Sequence, residues 1–198
     1  FADLLCAFEQ DQRIKRYATH DELLNYCKNS ANPVGRLVLY LGRCSRRETC
    51  ELSDSICTGL QLANFWQDVA RDFAIGRIYL PADQRQRYGV TEKMLAADAA
   101  SHELRSLLQL EVERAERYLN AGRPLIKQVS PELRIDVELF LSGGLAICQA
   151  IRRRRFDVLR KRPVVSKAKK LQLLLSCLMR SAFSRGFRNP AAKKEAVA

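Results

Sequence analysis

The sequence predicts an all-α protein, on three observations. Apolar residues recur at i, i+3 and i+4 along most of the chain; period-two alternation of β-branched and aromatic residues never persists; and helix-start signals precede the apolar runs. Leu4, Leu5 and Phe8 mark a first helix. Thr19-His20-Asp21-Glu22 has the form of a capping box and opens a second helix through Leu23, Leu24 and Cys27. Pro33 and Gly35 interrupt it, and the run Leu37 to Leu41 resumes helical packing. An Arg-rich polar stretch at 43–49 reads as a loop before a long helix expected to start near Ser53 and end by Gly76. Pro81 and Tyr88-Gly89 punctuate a connection, Thr91 caps a short helix, and a longer one runs from about Ser101 to Asn120. Ser130-Pro131 opens another through Val137, Leu139, Leu141 and Ile147, where Gly143-Gly144 permits close helix approach or a kink. Leu171 to Met179 forms a final helix. The expected organisation is one domain over 1–182 and a basic, flexible tail at 183–198.

A chain of 198 residues is long enough for one substantial core. It begins at Phe1 without an initiator Met, and the expectation is a fragment. No run approaches the ~18 uncharged apolar residues of a membrane span, and no basic, apolar, small-residue leader is present, so a cytoplasmic location is expected. The seven cysteines show no C-x-x-C pair and no nearby histidine, which points to reduced thiols and argues against zinc. The net charge of +12 is placed unevenly. Residues 151–198 hold 15 of the 34 Lys and Arg against only Asp157 and Glu195, so all the excess charge is C-terminal. Such a segment suits nucleic acid, an anionic membrane surface or a substrate diphosphate, or serves only as a solvated tail.

The sharpest chemical signal lies within the long helix. At about 100° per residue, Gln61, Asn64, Asp68 and Asp72 fall within an arc of about 80°. Phe65 and Val69 flank this stripe on one side and Leu60 on the other. Oxygen-only donors on one rigid face suit a hard divalent cation, and magnesium is usually held by one or two carboxylates plus substrate phosphates. Spacing alone leaves open a solvated helix face.

Three ordered segments narrow the choice: Tyr26-Cys27-Lys28-Asn29-Ser30-Ala31-Asn32-Pro33-Val34-Gly35, then Leu60-Gln61-Leu62-Ala63-Asn64-Phe65-Trp66-Gln67-Asp68, then Gly76-Arg77-Ile78-Tyr79-Leu80-Pro81. Together they resemble the squalene and phytoene synthase family from about Phe1 to Leu175. The Ser-Ala-Asn-Pro-Val-Gly and Asn-Phe-Trp-Gln-Asp forms look most like its hydroxysqualene synthase branch of hopanoid biosynthesis. The resemblance implies a type I isoprenoid synthase helical bundle, incomplete at its N-terminus, in which two Asp-rich helices bind magnesium diphosphate across a cavity. Asn64, Asp68 and Asp72 match the second Asp-rich motif, and no D-x-x-x-D occurs in residues 1–60 to supply the first. By the same matching, Gln61 lines the substrate cavity, Arg77 grips diphosphate, and Tyr26 is a catalytic tyrosine supporting carbocation or proton chemistry. Gln67, also matched to the substrate-binding set, replaces an Arg that many relatives carry, which weakens the implied phosphate grip there; Phe156 stands where they carry a tyrosine, whose role is not carried over.

The implied reaction is ionisation of presqualene diphosphate with Mg²⁺, followed by capture of the carbocation with water to give hydroxysqualene and diphosphate, without NADPH. Arg77 and some basic residue of the C-terminal stretch would neutralise the leaving group, and Phe65, Val69, Val34, Leu37 and Tyr26 would shield the cation. The rivals are head-to-head condensation of two prenyl diphosphates, a non-catalytic fragment, and a nucleic-acid-binding module built on Arg152 to Lys170, which would leave the carboxylate stripe without a role. Arg152 to Arg155 are read first as a solvated face, with contact to an anionic membrane or to diphosphate as the alternatives. The chain by itself is expected to be inactive, and helices missing from a bundle would expose apolar faces.

Overall fold

A computed structural model describes residues 2–186 of the chain. Among the described residues ten helices follow in order: α1 (Ala2–Arg13), α2 (His20–Ser30), α3 (Asn32–Leu41), α4 (Arg47–Ala74), α5 (Ala82–Arg87), α6 (Glu92–Leu95), α7 (His102–Ala121), α8 (Leu125–Gln128), α9 (Pro131–Arg153) and α10 (Lys167–Gly186). Among the described residues extended pairing is limited to one isolated bridge between Arg16 and Ile78. The tail expected from 183 is helical as far as Gly186, and its remainder lies outside the described residues.

The predicted start signals act as caps. Side-chain oxygens of Thr19, Thr91, Ser101 and Ser130 accept from the backbone N–H of Glu22, Met94, Leu104 and Leu133, satisfying donors that a helix N-terminus leaves open. The interruption expected at Pro33 and Gly35 falls at Ala31, between α2 and α3; Pro33 sits in the first turn of α3, where its missing N–H has no partner to lose, and Gly35 lies within α3. α4 begins six residues before the expected Ser53. The Arg-rich stretch looks like loop by composition, but Thr49 Oγ1 accepts from Arg46 N (2.9 Å) and donates to Cys44 O (2.7 Å), which anchors a helix start there. The Gly143-Gly144 pair leaves α9 continuous through Arg153.

α4 is the axis of the bundle and packs against α2, α3, α7, α8 and α9. Its Ile56, Leu62 and Trp66 are buried against Leu104, Leu107, Leu108 and Val112 of α7 and Leu141, Cys148 and Ile151 of α9. At the α4–α7 crossing, a Cβ on Gly59 would sit 2.7 Å from Leu119 Cγ, 2.9 Å from Leu119 N and 3.0 Å from Ala115 O. Backbone cannot yield there as a side-chain tip can, so glycine sets the interhelical distance. Apolar side chains remain exposed on α1 (Leu5, Phe8), α3 (Val34, Leu37, Tyr40, Leu41) and α10 (Leu171, Leu175, Met179), in line with the expectation of uncovered faces. All seven cysteines are free thiols.

One buried charge cluster joins α2 to α7. Glu111 is fully buried; its Oε1 accepts from Arg114 Nη1 (2.6 Å), and its Oε2 lies 3.8 Å from His20 Nδ1. Burial pushes the Glu111 carboxyl up to about 7, against the opposing pull of Arg114, and burial lowers His20, with Arg114 acting in the same direction.

Two stability predictions follow from these contacts. Gly59→Ala is expected to destabilise the fold by about 1–3 kcal/mol through overpacking, whereas Gly143→Ala, whose Cβ would meet nothing within 4 Å, should be neutral or stabilising by up to about 1 kcal/mol. Urea unfolding measures both. For Glu111, the folded form keeps its proton up to about pH 7 while the unfolded form releases it near 4.5, so its contribution is present below pH 4.5 and lost as pH rises through 7. His20 acts oppositely, losing stability as pH falls below its ordinary 6.5. The advantage of Glu111→Gln over the wild type should therefore grow from pH 5 to pH 8, reaching at most about 3 kcal/mol.

Candidate functional site

The site lies along the second half of α4 and the loop that follows it. Asn64, Asp68 and Asp72 share one face, Asn64 exposed and the two carboxylates half-buried. Gln61 is half-buried one turn earlier. The helix ends where Gly76 adopts φ +78°, a conformation glycine enters without penalty, while Gly76 N and Arg77 N return to Phe73 O and Asp72 O. This turn folds residues 77–80 back beside the helix end. Hydrogen bonds from Ile78 N to Lys15 O (2.8 Å), Ala82 N to Tyr17 O and Asp83 N to Ala18 O pin the segment to the α1–α2 connection.

From the basic C-terminal stretch, Arg162 reaches the stripe. Its Nε donates to Asp68 Oδ1 at 2.7 Å and its Nη2 to Asp68 Oδ2 at 2.8 Å, a bidentate clamp. A second bond runs from Nη2 to Gln67 Oε1 at 2.9 Å, and Gln67 Nε2 donates to Pro163 O. Gln67 borders the cavity but is buried with both ends of its amide engaged, so here it anchors the 160–166 loop. The loop is reached through Arg155 and Phe156, both at positive φ, and is fastened by Arg105, which donates to Arg155 O (2.8 Å) and Asp157 Oδ2 (2.9 Å). Phe156 is half-buried under the Arg152 guanidinium. Arg152 itself pairs bidentately with Glu116, so the basic stretch is partly structural.

The two carboxylates have opposite proton affinities. Arg162, and behind it Arg71, hold Asp68 below the usual carboxylate range despite partial burial. Asp72 is pushed up to about 6 by burial and by the Asp68 charge. Two carboxylates and an amide oxygen on one rigid face fit a hard divalent cation that takes its remaining ligands from water or phosphate.

Arg77 Nη1 donates to Tyr79 Oη (3.1 Å) and Nη2 to Asp11 O (3.1 Å), with Nη1 3.6 Å from Asp11 Oδ1. Behind this basic head lies an aromatic wall. Phe65 and Tyr79 stack with centroids 3.8 Å apart, and Tyr26 lies 6.1 Å from each. Tyr26 is buried, and its hydroxyl donates to Asp11 Oδ1 at 2.8 Å. Tyr79 and Asp11 were not among the sequence candidates; Tyr79 lies inside the Gly76–Pro81 motif that carried the resemblance.

Two cavities lie beside α4. One of about 400 Å³ has a mostly apolar lining but is bordered by Asn64, Gln67, Arg162 and Lys170. An apolar one of about 130 Å³ lies between α3, α4 and α9, lined by Val34, Val38, Ile56 and Val137 among others. Leu60 and Phe140 line both. Of the expected shielding residues, Val34 lines the apolar cavity, Phe65 and Val69 border a smaller pocket with Asp72 and Arg77, and Leu37 lies partly exposed on α3.

A helical bundle with this site has the isoprenoid synthase fold, which the comparisons bear out. A squalene synthase structure from Alicyclobacillus acidocaldarius superposes with a TM-score of 0.76 at 42% identity, over 78% of this chain and 59% of that one. A dehydrosqualene synthase structure superposes with a TM-score of 0.83 over 91% of this chain and 64% of that one; at 23% identity it supports the fold alone. The chain belongs to the squalene/phytoene synthase family, whose model matches residues 1–169. It is 37% identical over 195 residues to the hydroxysqualene synthase of Sinorhizobium fredii (94% of this chain, 65% of that protein) and 36% identical over 138 residues to that of Rhodopseudomonas palustris (69% and 47%). A chloroplastic phytoene synthase of Daucus carota is 30% identical over 190 residues, 93% of this chain and 48% of that protein. The chain thus spans less than two thirds of the length of these relatives.

Proposed function

We propose that the chain carries one jaw of the site of a magnesium-dependent isoprenoid synthase that ionises presqualene diphosphate and captures the cation with water, giving hydroxysqualene and diphosphate. The observation that carries this reading is the pair Leu60 and Phe140, which line both an apolar cavity and a second one bordered at one end by Asn64, Gln67, Arg162 and Lys170. A prenyl diphosphate has that division of character: a charged head and a long apolar tail. The first three curated relatives, at 34–37% identity, are hydroxysqualene synthases, which supports the choice within the family.

Asn64, Asp68 and Asp72 would hold Mg²⁺, which when bound supplies charge neutralisation for the leaving diphosphate. Arg77 and Arg162 add guanidinium groups whose fork geometry matches phosphate oxygens. Arg162 is engaged with Asp68 in the free protein and would move to the diphosphate as the cation takes its place. The Phe65–Tyr79–Tyr26 cluster, beside Asp72 and Arg77, would border the developing cation and limit access of water to it. Burial, with the Asp11 bond second, raises the Tyr26 phenol, so it stays protonated throughout the neutral range. Head-to-head condensation is the second reading, favoured by the phytoene synthases among the relatives.

The complete gene product, incubated with presqualene diphosphate and Mg²⁺, is expected to release diphosphate and give an oxygenated thirty-carbon product by mass spectrometry. Asp68→Ala and Asp72→Ala should each lower the rate by at least about 100-fold. A hydrocarbon or cyclopropyl diphosphate product would select the second reading, and no diphosphate release would end the first.

Peripheral contact with anionic lipid belongs to the same proposal, because the product is apolar and α10 carries exposed Leu171, Leu175 and Met179 beside Lys167 and Lys169. Vesicles with acidic lipid should sediment the protein at low salt and release it at about 0.5 M salt, where screening is short-ranged. Equal pelleting with neutral vesicles would count against it.

A further inference from the structure

We propose that Asp11 is a positioning residue of this site, acting through Tyr26: its carboxylate fixes the direction of the phenol hydroxyl at the wall that faces the substrate cation. The inference rests on the functional reading above.

The geometry is specific. Asp11 lies near the end of α1, 15 residues before Tyr26, and the pinning of residues 15–18 to 78–83 sets that helix end against the Arg77 loop. A phenol has one donor and two acceptor lone pairs. The 2.8 Å bond to Asp11 Oδ1 commits the donor, so the oxygen is left to act toward substrate only through its lone pairs, alongside the ring face. A Tyr26 hydroxyl free to rotate would present either its proton or its lone pairs to a cation, and the proton end is repulsive. The carboxylate removes that option and makes the phenol oxygen more electron-rich through a charge-assisted bond.

Asp11 also touches Arg77, but by two different routes. The shorter contact is from Arg77 Nη2 to the Asp11 backbone carbonyl at 3.1 Å, which a side-chain substitution leaves in place; the side-chain contact is 3.6 Å. The Arg77 guanidinium is held a second time by Tyr79 at 3.1 Å. Loss of the Asp11 carboxylate should therefore fall on Tyr26 more than on the diphosphate grip of Arg77.

The test uses the complete gene product with whichever prenyl diphosphate the wild type turns over, presqualene diphosphate first and farnesyl diphosphate second. Asp11→Asn is expected to lower kcat roughly 10- to 100-fold, the range for loss of a charged hydrogen-bond partner, with KM changed less than about threefold. Tyr26→Phe should lower kcat comparably, and the double variant should be no slower than Tyr26→Phe by more than about twofold, because Asp11 has nothing left to position. Asp11→Glu should recover part of the loss. Multiplicative losses in the double variant, or an effect confined to KM, would overturn the proposal. An independent arm needs no turnover: with ¹³Cζ-labelled tyrosine, the resonance assigned to Tyr26 by Tyr26→Phe should move in Asp11→Asn at neutral pH, and an unmoved resonance would also overturn it. Failure of the wild type on presqualene diphosphate alone would bear on the functional reading, leaving both arms to decide the role of Asp11.

Discussion

The bidentate pair between Arg162 and Asp68 joins two parts of the chain that local sequence would not bring together. Asp68 is the central carboxylate of the α4 stripe, and Arg162 arrives 94 residues later from the loop between α9 and α10. A carboxylate with a side chain only 18% exposed would be costly without a partner, and the guanidinium supplies one at both oxygens. The consequences spread outward. Gln67 is drawn into the interior to serve Arg162 and Pro163, the loop lines one side of the cavity that Asn64 borders, and α10 is delivered onto α9.

Much of this was legible in the sequence, and the division has a physical origin. The α4 stripe could be read because it is a periodic property of one helix: Asn64, Asp68 and Asp72 share a face whatever the rest of the chain does. The caps at Thr19, Thr91 and Ser130 were legible for the same reason, since each is a bond spanning three residues. Arg162 could be anticipated only as one member of a long basic run, because nothing local separates it from Arg152, which is bound to Glu116. Asp11 left no signal at all. It lies in the polar run Glu9 to Arg13, and only the closure of α1 against residues 77–83 gives it Tyr26 as a partner. The early start of α4 was missed because an Arg-rich stretch looks like solvated loop, and the Thr49 bonds that make it a helix terminus depend on the carbonyl of Cys44.

The aromatic wall shows how a helix end and a loop can build one surface. Phe65 belongs to α4, Tyr79 to the loop after it and Tyr26 to α2, and their stacking requires the left-handed turn at Gly76 to return the chain at the right height. The same turn places Arg77 above the wall. Arg77 and the aromatic cluster are thus fixed by one local geometry, and in the proposed function a substrate held by its head at Arg77 would have its reacting carbon near the rings.

The opposite proton affinities of Asp68 and Asp72 bear on the order in which the proposed ligands bind. In the free protein Asp68 is neutralised by Arg162, while Asp72, with an affinity for protons near pH 6, retains a minor fraction of its proton at neutral pH. A cation binding alone would have to displace the guanidinium into the neighbouring cavity, whose lining is mostly apolar, and the Coulomb gain would be set against that loss. Diphosphate changes the balance, because it offers Arg162 a bidentate acceptor at the moment Asp68 is released. On the proposed reading metal and diphosphate would bind together: each would provide for the charge that the other uncovers, and the stripe on α4 would gain its full cation affinity only with substrate present.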